Sequence, residues 1–136
     1  MGGCRLRLLI VEDSALIRKV THLAFPGRGH DLQEAASGVE ALALLTGAAD
    51  SFDAIVLDLR MPDMNGVEFV RALRQLPRHR DTPVVVATSE GDDSPLMEEA
   101  RQVGVAAIVR KPWKPHELAD VVRQACAGRR LTGDSG

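Results

Sequence analysis

At 136 residues the chain is long enough to bury a core of its own and short enough for one domain. Hydrophobic residues make up 45% and charged residues 26%, with a formal net charge of -2, so nothing favours electrostatic capture of DNA, RNA or anionic lipid. The longest apolar runs span five or six residues, far below the roughly 20 that cross a bilayer, and Met1-Gly2-Gly3-Cys4-Arg5 has no apolar leader core; a cytoplasmic protein binding neither nucleic acid nor membrane is expected.

The first apolar run, residues 6–11, reads as a strand. Leu16, Ile17, Val20, Leu23 and Ala24 then follow helical spacing, and Pro26-Gly27 should stop that helix. Residues 30–35 give a weaker second strand, followed by a helix marked by Ala41, Leu42 and Leu45 and opened by the capping box Ser37-x-x-Glu40. Residues 54–57 form the third strand. Asn65-x-x-Glu68 can open the next helix, whose stripe is Phe69, Val70, Leu73 and Leu76. Residues 84–87 are the fourth strand, and Pro95 fits the first turn of a helix carrying Leu96, Met97, Ala100 and Val103. Residues 105–109 are the fifth strand. Pro115 begins the last helix, with Leu118, Val121, Val122 and Ala125 on one face. Gly104 and Gly128 sit where a left-handed residue ends a helix.

Three of the five strand runs are continuously apolar rather than alternating, as in parallel strands covered on both faces. The βαβαβαβαβα order therefore predicts an α/β fold with a five-stranded parallel sheet, doubly wound as (βα)5. Residues 5–127 are expected to be the domain and 128–136 a disordered tail. Cys4 and Cys126 read as free thiols, and the four histidines have no paired metal-ligand spacing.

In open parallel sheets the site forms beyond the carboxyl ends of the strands. Here those ends carry Glu12-Asp13, Asp58, Thr88-Ser89 and Lys111-Pro112. Crowded carboxylates repel and are driven towards protonation unless a cation neutralises them. An oxygen-only, acid-rich site suits a hard cation such as Mg2+. With that charge in place Asp58 can act as a nucleophile towards phosphorus, and Lys111 and Thr88 can stabilise the phosphoryl oxygens. Alone, each residue has an ordinary reading: Asp13 or Ser14 as a helix cap, Asp58 as a loop aspartate, Thr88 as a strand residue, Lys111 as a surface lysine. Gly66 reads as a backbone requirement and Trp113, the only tryptophan, as a partly buried anchor.

Together these residues resemble the response-regulator receiver family. The resemblance covers residues 5–127 and rests most on Leu8-Leu9-Ile10-Val11-Glu12-Asp13-Ser14, on residues 55–66 around Asp58-Leu59-Arg60-Met61-Pro62, and on Val109-Arg110-Lys111-Pro112-Trp113. It implies strand order 2-1-3-4-5, as in the chemotaxis member of that family. It makes Asp58 the phospho-acceptor and places Mg2+ on Asp13, Asp58 and the Arg60 main-chain oxygen, with Glu12 acting through water. It further implies that Lys111 pairs with the phosphoryl group behind a cis Pro112, and that Thr88 moves towards it. The expected protein is a stand-alone signalling switch rather than an enzyme. It would be phosphorylated by a histidine kinase or phosphotransfer protein and read by an effector protein at the fourth helix, fifth strand and fifth helix.

Ile108 stands where the family usually has a switching aromatic residue, leaving that half of the switch without a ring. Arg60 and Glu90 flank the acceptor with opposite charges; a pair between them would screen the phospho-aspartate and set its lifetime. Three other functions fit less well. A haloacid-dehalogenase-like phosphatase wants a second aspartate where Arg60 stands. A flavodoxin-like carrier wants a phosphate loop where Glu12-Asp13-Ser14 would repel an anion. A phosphate-independent adaptor leaves the acceptor set without a purpose.

Overall fold

A computed structural model of the chain describes residues 5–26, 29–47 and 52–135, with side chains as far as residue 128. Cys4 lies outside the described residues; Cys126 is buried, with its Sγ 3.6 Å from the Asp53 carbonyl oxygen. The five strands are β1 (Arg7–Val11), β2 (Asp31–Ala35), β3 (Ala54–Leu57), β4 (Val84–Thr88) and β5 (Ala107–Arg110). They alternate with α1 (Ala15–Leu23), α2 (Gly38–Gly47), α3 (Gly66–Leu73), α4 (Pro95–Gln102) and α5 (Pro115–Ser135). All strand pairs are parallel, in the order β2-β1-β3-β4-β5.

The burial of each strand follows from its place in that order. Central β3 and β4 are buried at every residue, whereas the edge strands β2 and β5 are mostly half-exposed. Leu9, Val11, Ile55, Leu57, Val84 and Val86 point to one face, where Ala41, Leu45, Phe69, Leu73, Met97 and Ala100 from α2, α3 and α4 cover them. Leu8, Ala54, Val56, Val85 and Ala87 point to the other, against Leu118, Ala119, Val122 and Cys126 of α5 and Ala24-Phe25 after α1. The period of two along each strand thus builds two cores from one sheet.

Two expectations need correction. Leu16 and Leu23 do not belong to the buried stripe of α1, being 68% and 64% exposed. The inward face is instead shifted by less than a turn onto Thr21, which is buried with its hydroxyl satisfied by donating to the Ile17 carbonyl at 2.8 Å. α5 does not stop at Gly128 but continues to Ser135, so helical backbone stands where a disordered tail was expected. One interior glycine costs a helix only about 1 kcal/mol, too little to end it where good helix formers follow. Gly104, by contrast, ends α4 as expected, with φ at +88°. Among the described residues no helix is long and apolar enough to cross a membrane.

α3 starts close against the end of β3. Its capping box is complete: Asn65 Oδ1 accepts from the Glu68 N–H and Glu68 Oε1 accepts from the Asn65 N–H, both at 2.9 Å. A Cβ on Gly66 would lie 3.0 Å from the Asp58 carbonyl oxygen, 3.0 Å from Leu59 Cα and 2.9 Å from Leu59 Cδ2. Two of those atoms are backbone, in a turn held by the Asp58 N–H bond to the Val11 carbonyl and the Gly66 N–H bond to the Leu59 carbonyl. Gly66→Ala should therefore destabilise the fold by about 1–3 kcal/mol through overpacking, read as a lower urea midpoint with an unchanged slope.

Candidate functional site

The sheet register sets the site. Val11 pairs with Leu57, so Glu12-Asp13 and Asp58 leave adjacent strands at the same level. The ladder continues one step beyond: the Asp58 N–H donates to the Val11 carbonyl at 3.1 Å and the Glu12 N–H to the Ala35 carbonyl at 3.0 Å. On the other side Thr88 pairs with Arg110, and the Lys111 N–H donates to the Thr88 carbonyl at 2.8 Å. The Lys111-Pro112 bond is cis.

Glu12, Asp13 and Asp58 each offer a carboxylate oxygen within 4.8 Å of the others. Glu12 and Asp58 are buried, at 5% and 8% exposure, while Asp13 faces solvent. Lys111 reaches into this group, with Nζ 2.9 Å from Glu12 Oε1 and 3.5 Å from Asp58 Oδ2. Burial pushes the Glu12 carboxyl above its usual range, and the Asp58 charge adds to this. Hydrogen bonds from Lys111 and the Ser14 N–H pull only partly the other way. One ammonium thus contacts two of three clustered carboxylates. The all-oxygen donor set with charge left over fits a hard divalent cation.

The structure brings Glu12, Asp13, Asp58 and Lys111 together as expected. The Arg60 side chain goes elsewhere. Its Nε and Nη2 donate to Glu90 Oε2 at 2.8 Å and Oε1 at 3.2 Å, forming the flanking pair as a two-pronged contact. Its main-chain N–H lies 3.5 Å from Asp58 Oδ1. Thr88 is fully buried, and its hydroxyl accepts from the Glu90 N–H at 3.2 Å. Arg60 and then Ser94 hold the Glu90 carboxyl below its usual range, so it stays ionised. Ile108 is half-buried and packs against the core beneath α4.

Three further residues support the site. Ser94 caps α4 by accepting from the Leu96 N–H at 3.2 Å while donating to Glu90 Oε1 at 2.6 Å. Arg18 on α1 donates to the Glu12 carbonyl at 2.7 Å and to Glu34 Oε1 at 2.7 Å, steadying the backbone that carries the acid pair. Asp63, in the loop after Asp58, caps α2 from outside: its carboxylate accepts from the Val39 N–H at 2.7 Å and the Gly38 N–H at 3.3 Å. Ser37 completes that helix start by accepting from the Glu40 N–H at 3.1 Å. Only the composition of the 59–65 loop hints at Asp63, because its partners lie 24 and 25 residues away.

Residues 8–123 match the family model described as the response regulator receiver domain. The chain is 34% identical over 116 residues to a chemotaxis protein CheY homolog of Campylobacter jejuni, covering 85% of this chain and 88% of that protein. It is 36% identical over 113 residues to the cyclic di-GMP phosphodiesterase response regulator RpfG of Xanthomonas campestris, but spans only 30% of that longer relative. Among solved structures, the chemotaxis response regulator CheY4 of Vibrio cholerae superposes with a TM-score of 0.78 at 33% identity, over 90% of this chain and 99% of that one.

The Asp63 cap carries a pH signature. Hydrogen bonds from Val39 first, then from Gly38 and Met64, hold its carboxyl below the usual aspartate range despite some desolvation. A depressed carboxyl stabilises the fold above its unfolded pKa, and that stabilisation is lost as pH falls through the folded value. Asp63→Ala should therefore lower the urea midpoint at neutral pH, and the gap to the unmodified protein should narrow as pH falls below 4 (about the ordinary aspartate value).

Proposed function

Because the chain belongs to the response-regulator receiver family, whose members are phosphorylation-activated switches of two-component signalling, we propose that Asp58 is its phosphoryl acceptor. The observation that carries this reading is the placement of Asp58: nearly buried, level with Glu12 and Asp13, and 3.5 Å from the Lys111 ammonium. Members of the family are signalling proteins rather than classical enzymes. In this reading the chain catalyses only its own phosphorylation and the loss of that phosphate. The receiver domain extends over residues 5–127.

The donor is a phosphohistidine on a histidine kinase or phosphotransfer protein. A carboxylate oxygen of Asp58 attacks phosphorus, the phosphorus–nitrogen bond breaks, and its electron pair returns to the donor imidazole. Asp58 becomes a mixed anhydride. Mg2+ would be held by Asp13 and Asp58, the Arg60 main-chain oxygen and, through water, Glu12; when bound it supplies the charge that lets these carboxylates and an anionic phosphoryl group coexist. Lys111, already shared between Glu12 and Asp58, turns its point charge onto the phosphoryl oxygens. The Thr88 hydroxyl donates to the same group from the end of β4. The altered state is read by an effector protein at the face formed by α4, β5 and α5, and a cytoplasmic location goes with this reading.

Two measurements test it. After treatment with acetyl phosphate and Mg2+, the intact mass of the unmodified protein should rise by one phosphoryl group, while Asp58→Asn shows no gain. No gain in the unmodified protein, under conditions that phosphorylate a control receiver, sinks the reading. Mg2+ alone should raise the melting temperature, because it relieves repulsion in the folded state only. Asp13→Asn should abolish most of that rise while melting higher than the unmodified protein when Mg2+ is absent.

A further inference from the structure

The loop between β4 and α4 is tied down at Glu90 more than anywhere else. The Glu90 N–H donates to the Thr88 hydroxyl at 3.2 Å. Its carboxylate accepts from Arg60 at 2.8 and 3.2 Å and from the Ser94 hydroxyl at 2.6 Å. Beyond it the ties are exposed or local: Asp92 pairs with Arg101 at 3.6 Å and Arg110 at 3.3 Å, the Ser94 N–H donates to the Gly91 carbonyl at 3.1 Å, and a Cβ on Gly91 would meet nothing within 4 Å. Ser94 then closes the loop, since the hydroxyl that donates to Glu90 also caps the first turn of α4 through the Leu96 N–H. Two of the three groups holding Glu90, the Thr88 hydroxyl and the Arg60 guanidinium, come from residues beside the acceptor. The third is the N-cap of the helix that leads to the output face.

Resting on the reading of Asp58 as acceptor, we propose that Glu90 is a latch. It holds Arg60 off the site in the unphosphorylated protein, and Arg60 leaves it to become a second cationic ligand of the phosphoryl group beside Lys111. Charge decides the exchange. A phosphoryl group carries about -1.5 to -2 and three strong acceptor oxygens against the single charge of Glu90. The Arg60 side chain is 69% exposed and can swing, whereas the Glu90 side chain it leaves is 15% exposed and keeps its bond from Ser94. The guanidinium can grip the phosphoryl group with the same two-pronged contact it makes to Glu90, against a larger charge. With Thr88 drawn to the same oxygens, Glu90 keeps only Ser94, and the first turn of α4 loses the frame that fixed its cap. The signal then reaches α4 through a carboxylate, with no aromatic ring needed at Ile108.

The test is hydrogen exchange of the full chain, with intact mass read on the same samples and 31P spectra of the phosphorylated protein. Phosphorylation should speed exchange over residues 89–98 by about fivefold, the scale expected when an N-cap contact is lost. Glu90→Ala should show that faster exchange before any phosphoryl mass is added and change little afterwards. Ser94→Ala should raise exchange at Leu96 and Met97 while leaving the 31P resonance in place; Arg60→Ala should shift that resonance, which a merely structural role for the loop does not do. If the phosphoryl mass appears but exchange over residues 89–98 stays unchanged, the latch is overturned and the acceptor reading survives. An unshifted 31P resonance in Arg60→Ala likewise removes Arg60 as a ligand. If no phosphoryl mass appears, both fall.

Discussion

The crowding of Glu12, Asp13 and Asp58, with one ammonium paired to Glu12 and Asp58, is the constraint that organises this molecule. The carboxylates approach within 4.8 Å because the sheet register puts the ends of β1 and β3 side by side, and the sheet is held by two apolar cores. Lys111 can reach them only because β5 pairs with β4 and delivers its end to the same edge. A repulsive cluster is costly to fold around. The raised Glu12 carboxyl reports part of that cost, and a fold tolerates it where function requires the charge.

Much of this was legible in the sequence, and for a definite reason. Asp58 and Lys111 each end an apolar run, and in parallel sheets strand ends converge, so one-dimensional position implied three-dimensional proximity. The Asn65 and Glu68 box was legible because both bonds span only three residues. The strand order needed the resemblance, since periodicity alone does not say which strands are neighbours.

What the sequence hid lies at longer range or below the resolution of a period. Asp63 and Arg18 act on partners in other elements, and no spacing rule links them. Leu16 and Leu23 matched the helical period of α1, yet the rotation of the helix puts Thr21 inward instead. Threonine is a poor candidate for burial until its hydroxyl is seen to bond the turn before it. Gly128 failed as a stop signal because a glycine weakens a helix without ending it.

The tight start of α3 against Asp58 also makes the site mechanically uneven. On that side the Gly66 position leaves 3.0 Å to the Asp58 carbonyl oxygen, the capping box fixes the first turn, and Asp63 fastens the intervening loop to α2. On the β4–α4 side a few polar ties span a stretch with open space around Gly91. Added bulk at Asp58 would therefore meet close-packed backbone on the α3 flank and more open space around Gly91 on the α4 flank.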